Sequence, residues 1–135
     1  PIVTARGLSD QTVTFSSFRG KVVFLEFMVS WCYNCQEMAP SLEYLKEIYS
    51  GQDVVFISVA GTQQGATAET TADFIKQYGS TWTYVLDTDD SVFNAYGVDA
   101  TPTYFIIYRS GTILSRLQGI VPTDTFSNAI DQALS

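Results

Sequence analysis

The apolar positions of the chain change their period several times, and each change marks an element. Residues 22–29 are almost continuously apolar, β-branched and aromatic, interrupted only by Glu26, which predicts a buried strand. From the two cysteines to about Tyr49 the period becomes helical. Met38, Leu42, Leu45 and Tyr49 recur on one stripe, with Glu37, Glu43, Lys46 and Glu47 on other faces. Gly51 stands where a helix stop belongs, and Pro40 inside the pattern should kink the helix by removing a donor. Residues 53–59 predict a second buried strand and 61–68 a polar loop. A helix over 70–78 follows, with Phe74, Ile75 and Tyr78 inward and Gly79 ending it.

Residues 82–86 read as a short strand and 90–96 as a helical turn closed by Gly97. Strands over 103–108 and 112–117 flank Arg109-Ser110-Gly111, a hairpin signal. The last helix spans 123–134, with Thr123 as N-cap and Phe126, Ile130 and Leu134 on one stripe. Ahead of all this, residues 8–18 alternate in part and carry turn formers, so they predict an N-terminal β-hairpin, with a turn at Arg19-Gly20-Lys21. Early strands alternate with helices and a hairpin ends the series. The fold class is therefore α/β, a central mixed sheet with helices on both faces.

Composition narrows the function. With 135 residues, 46% of them apolar, the chain fits one domain over 1–135 that buries its own core. Its formal charge of −7 argues against nucleic acid or an anionic membrane as partner. Histidine is absent, which removes Ser-His and Cys-His pairs and leaves two cysteines too few for a zinc site, so no metal and no cofactor are expected. No apolar run is long enough to span a membrane. The chain begins at Pro1 with no initiator Met, which suggests a removed signal peptide or anchor.

The chemistry sits in Trp31-Cys32-Tyr33-Asn34-Cys35. Cys32 and Cys35 are the only thiols, three residues apart at a strand-to-helix junction. On the first turn of a helix two such sulfurs can reach bonding distance. Free N–H groups and the partial positive charge there stabilise a thiolate, which makes Cys32 the nucleophile and Cys35 the resolving thiol. A structural disulfide is the competing reading. It is the weaker one, because so short a loop gains little from closure.

These residues resemble the thioredoxin superfamily. The likeness is carried by residues 26–35, by Pro40 in the helix, and by Thr101-Pro102-Thr103 before a strand. Within it the chain looks most like the extracytoplasmic branch related to TlpA and ResA. Residues 20–27, Tyr96-Gly97-Val98, residues 109–113, the N-terminal hairpin and an extra segment around 61–90 follow that pattern. The resemblance implies a thioredoxin-like fold and a location outside the cytoplasm. It implies a cis bond at Pro102 opposite the sulfurs, which keeps metals away and leaves the Thr101 backbone free to pair with a substrate strand. It also implies that Glu26 lies beneath the buried cysteine, with a raised pKa, and passes protons to and from Cys35.

Departures matter as well. Tyr33-Asn34 replaces thioredoxin's Gly-Pro dipeptide, so its strongly reducing poise does not carry over. The lysine that pairs with thioredoxin's buried acid is missing, and Met28 stands where many relatives place tryptophan. Trp31 could form an apolar platform for substrate or pack against the loop before Pro102. Other aromatics (Phe24, Phe27, Phe56, Phe74, Phe105, Tyr108) read as core.

The expected activity is thiol–disulfide exchange, with reduction of protein disulfides preferred and oxidation available through the same residues. Expected partners are protein thiols and disulfides and an upstream redox partner, acting on a monomer. A thiol peroxidase is the alternative enzyme, although Ser30-Trp31-Cys32 lacks the threonine spacing of a peroxidatic cysteine. A binding or chaperone module with a structural disulfide is the alternative outside catalysis.

Overall fold

A strand flanked on both edges and covered on both faces must be apolar throughout, and β3 (Val22–Met28) meets that condition with all seven residues buried. In the computed structural model, which describes residues 1–135, it is the centre of one seven-stranded sheet. Its neighbours are β4 (Val54–Ala60), parallel, and β6 (Thr103–Ile107), antiparallel. β5 (Thr83–Leu86) continues the sheet parallel to β4, and β7 (Ile113–Gln118) closes the other edge. The sheet is mixed, as the element order predicts.

Helix α1 (Tyr33–Ile48) joins β3 to β4, and α2 (Ala68–Tyr78) joins β4 to β5. Both crossovers step in the same direction along the sheet, so with a common hand they fall on one face. The C-terminal helix α4 (Thr123–Leu134) covers the same face. Its fully buried Phe126 meets Phe24 and Tyr104 edge-on at 5.0 and 4.8 Å. The opposite face carries Phe27 and Phe105, which pack on Phe93 of the short α3 (Ser91–Ala95) and on Tyr96.

Three local expectations are corrected. The N-terminal hairpin is not at residues 8–18. It is formed by β1 (Ile2–Thr4) and β2 (Gly7–Leu8), and β1 docks antiparallel on β5. Residues 15–18 form a 3₁₀ turn instead, whose i, i+3 geometry turns Phe15 and Phe18 together toward the core. Helix α2 starts before Thr70, because Thr67 and Thr70 exchange side-chain and backbone hydrogen bonds as a capping box. Thr123 is the first helical residue of α4 and does not cap it. Pro122 holds the cap position, without a side-chain bond. Helix α1 runs through Pro40 as one element.

The Phe24–Tyr104–Phe126 cluster ties α4 to the two central strands. Truncating Phe126→Ala should therefore lower the unfolding free energy by about 3–5 kcal/mol. Equilibrium denaturation checks it, and a loss below about 1 kcal/mol would contradict this account of the packing.

Candidate active site

The end of β3 delivers the chain to the cysteines through a tight turn. The Cys32 amide donates to the Val29 carbonyl at 3.0 Å, which reverses the backbone across Ser30 and Trp31. Cys32 then occupies the N-cap of α1 in extended conformation, and its sulfur accepts the Cys35 amide at 3.2 Å. A cysteine here does the work of a capping hydroxyl, satisfying one of the free donors at the helix start. Both cysteines are reduced. Cys32 keeps 6% of its surface exposed and Cys35 none, so both are buried and only the first retains any contact with solvent.

That difference sets their acidities apart. The Cys35 thiol beside Cys32, followed by contact with Thr101 and the amides of Cys35 and Asn34, outweighs burial and lowers the Cys32 pKa from 9.0 to about 6. Burial, the Cys32 sulfur and the nearby Glu26 charge push Cys35 far upward. At neutral pH one sulfur is a thiolate and its partner a thiol.

Thr101 and Pro102 stand against Cys32 from the other side. Their peptide bond is cis, Pro102 is buried, and the Cys32 sulfur lies 3.4 Å from the Thr101 carbonyl oxygen, to which it donates when protonated. The Thr101 amide makes no hydrogen bond within the chain. Trp31 is half exposed, and its indole N–H donates to the Gln63 carbonyl at 2.8 Å, so the loop after β4 holds the ring in place. The Gln63 side chain and the Phe93 ring pack into the space that a Cβ at Gly61 would take. Trp31 borders a groove of about 320 Å³ with Val29, Gln63, Phe93, Val98 and Thr101. It thus sits beside the loop before Pro102 while still offering an exposed face. Tyr33 and Asn34 are exposed on the first turn of α1.

Glu26 is 2% exposed and near enough to both cysteines for their charges to influence one another. Burial dominates its behaviour and raises its pKa from 4.5 to about 7, opposed by a hydrogen bond from Ser58 and the proximity of Tyr104, and assisted by Cys32. Ser58 Oγ lies 2.6 Å from Glu26 Oε1, and Trp82 Nε1 donates to the same Oγ at 2.7 Å. The Tyr104 hydroxyl is near the carboxyl, but it closes no well-formed hydrogen bond and is buried without a partner.

Residue patterns alone passed over Ser58, Trp82 and Tyr104. A signal existed for Ser58, the one polar residue in its apolar strand, but a search for a lysine there does not notice a serine. No cluster of His, Cys, Asp or Glu suited to a metal ion is present, and no helix is long and apolar enough to cross a membrane.

The sequence profile of the Redoxin family matches residues 1–134. The chain belongs to the Redoxin family. A thiol-disulfide oxidoreductase ResA of Geobacillus thermodenitrificans is 31% identical over 116 residues, covering 86% of this chain and 65% of the relative. ResA of Bacillus subtilis is 32% identical over 111 residues, covering 82% and 60%. The chain thus spans somewhat less than two thirds of these relatives. Among solved structures, dsbF of MTB, described in mixed oxidised and reduced forms, superposes with a TM-score of 0.78 at 28% identity. That match covers 87% of this chain and 84% of the other. The Redoxin fold accounts for the mixed sheet, and the cysteine pair lies where its central strand meets α1.

Two titrations of opposite sign govern stability near neutrality. Between 4.5 and about 7 folded Glu26 keeps a proton that the unfolded chain has lost, so stability falls with rising pH, by up to about 3 kcal/mol in all. Between about 6 and 9.0 the unfolded Cys32 keeps a proton that the folded one has lost, so stability rises again. The reduced protein should show a trough near neutral pH. Glu26→Gln should remove the acid-side fall, and oxidation of the pair should remove the alkaline rise. Denaturation across this range tests both limbs, and a wild-type profile matching Glu26→Gln would rule out the first.

Proposed function

We propose that this chain is a thiol–disulfide oxidoreductase that exchanges a Cys32–Cys35 dithiol with protein disulfides through a mixed disulfide. The carrying observation is the split between the two sulfurs: a thiolate at the helix cap that keeps a small exposed surface, beside a fully buried thiol. The Cys32 thiolate attacks a target disulfide, forming a Cys32–target bond and releasing one target thiolate. Cys35 then gives its proton to Glu26 and attacks the Cys32 sulfur. The Cys32–Cys35 disulfide forms, the second target thiolate leaves, and two electrons have passed to the target.

The free Thr101 amide supports pairing with an extended substrate segment, and the exposed faces of Trp31, Tyr33 and Asn34 border the entry to Cys32. A separate redox partner re-reduces the pair, and the protein acts as a monomer outside the cytoplasm. The ResA relatives support that setting, as does the extracytoplasmic branch whose pattern the sequence follows. Reduction of targets is the preferred direction.

Cys35→Ala should accumulate mixed disulfides with a protein substrate that dissolve in dithiothreitol, while Cys32→Ala should lose exchange altogether. Non-reducing electrophoresis against an unfolded disulfide protein reads both. Full exchange by Cys32→Ala would refute the assignment. Rapid peroxide consumption by the wild type, surviving in Cys35→Ala, would favour the peroxidase instead.

Alkylation supplies a second check. The rate at Cys32 should rise through a midpoint at about pH 6, with Cys35 unreactive in the folded protein. A midpoint at the ordinary thiol value would count against the thiolate.

A further inference from the structure

Tyr104, Glu26, Ser58 and Tyr84 form a row across four strands. The registers pair Glu26 with Tyr104 on one side and Ser58 on the other, and Ser58 with Tyr84 beyond it. All four are buried. The row lies under Cys32 and Cys35 from α1, with apolar Phe126 from α4 over Tyr104 and Phe74 from α2 near Tyr84. The titratable groups that influence Glu26 are therefore two cysteines and two tyrosines, with no cation among them. A carboxyl buried this way must be held by neutral donors.

The donors have a fixed order. An indole N–H can only donate, so the 2.7 Å contact from Trp82 makes Ser58 Oγ an acceptor. The Ser58 hydroxyl proton is then left for its other contact, Glu26 Oε1 at 2.6 Å. Trp82 is itself immobilised, 9% exposed and stacked on Tyr84 at 5.4 Å and 23°. The Tyr84 hydroxyl is taken by Ser80 at 2.9 Å. Reversing the Ser58–Glu26 bond would leave the serine proton only the Tyr84 hydroxyl oxygen, a neutral acceptor in place of a carboxylate.

We propose that Trp82 and Ser58 are positioning residues that lock a permanent hydrogen bond onto Glu26 Oε1 and so confine the proton traded with Cys35 to Oε2. The proposal rests on the reading of Glu26 as the proton acceptor for Cys35. In the resolving step the Cys35 S–H proton moves to Oε2 as the sulfur attacks, and the departing target thiolate carries the displaced electron pair. The Tyr104 hydroxyl, buried near the carboxyl with no partner of its own, is the group that can accept from Oε2–H once the proton has arrived. A serine hydroxyl backed by an indole thus stands in for a lysine.

Carbon-13 NMR titration of the Glu26 carboxyl in the reduced protein, assigned with Glu26→Gln, tests the order directly. Ser58→Ala should raise the midpoint by about one pH unit, since a bond to the charged form is lost. Trp82→Phe should raise it by less, and Ser58→Thr should keep the wild-type midpoint. Because Trp82 acts through Ser58, adding Trp82→Phe to Ser58→Ala should shift it no further. The pH dependence of mixed-disulfide resolution should move with the midpoint. Loss of thermal stability with an unmoved midpoint would overturn the proposal, as would additive shifts in the double variant. The carboxyl titration needs no turnover. An inactive protein with the expected shifts would therefore refute the exchange activity while upholding the hydrogen-bond order.

Discussion

Strand β3 is paired on both edges and covered on both faces, and one of its seven buried residues is a carboxylic acid. A strand in that position has no solvent to offer Glu26, and the chain provides no cation to pair with it. The surrounding strands must then supply hydrogen bonds, and their registers do so by bringing Ser58 and Tyr104 alongside. The same strand aims the turn at Val29–Cys32 and hence the start of α1. Acid and sulfurs are thus placed by one element, so a shift in its register would displace all of them together.

The two cysteines acquire different chemistry from a difference in depth. Cys32 sits at the helix cap, where amide and thiol donors converge on its sulfur. Cys35 is one turn further in, with no exposed surface and a carboxyl beneath it. Desolvation and a neighbouring negative charge both favour the neutral thiol. The same pair therefore contains one thiolate and one thiol, which on the proposed mechanism attack first and second.

Much of this was legible because the strongest signals are local. The continuous apolar run before the cysteines, the helical stripe after them and the Cys-x-x-Cys spacing each involve neighbours in sequence. The N-terminal hairpin was misplaced for the opposite reason. Its strand β1 is stabilised by β5, about eighty residues away, and its two-residue turn at Ala5-Arg6 carries no Asn-Gly signal. Residues 12–15 do alternate in burial, yet Phe15 and Phe18 turn inward on a 3₁₀ turn with no ladder to join. Ser58 stood out as the polar residue of its strand, but its pairing with Glu26, like that of Tyr104 and the Trp82 contact to Ser58, depends on cross-strand register that no linear spacing encodes.

The use of neutral donors in place of a cation has a consequence for timing. A lysine beside Glu26 would hold the carboxylate ionised well below neutrality, whereas burial and hydroxyl donors leave it titrating at about 7. Cys32 is among the groups that raise that value, though it is the smallest of them and burial the largest. On the proposed mechanism its charge disappears when the mixed disulfide forms, because the sulfur is then covalently bound. Glu26 then ionises more readily, at the step where Cys35 needs a base. The Glu26 charge also favours the neutral form of the Cys35 thiol, after burial and the Cys32 sulfur. Formation of the first bond thus prepares the acceptor for the second proton transfer without any movement of the backbone.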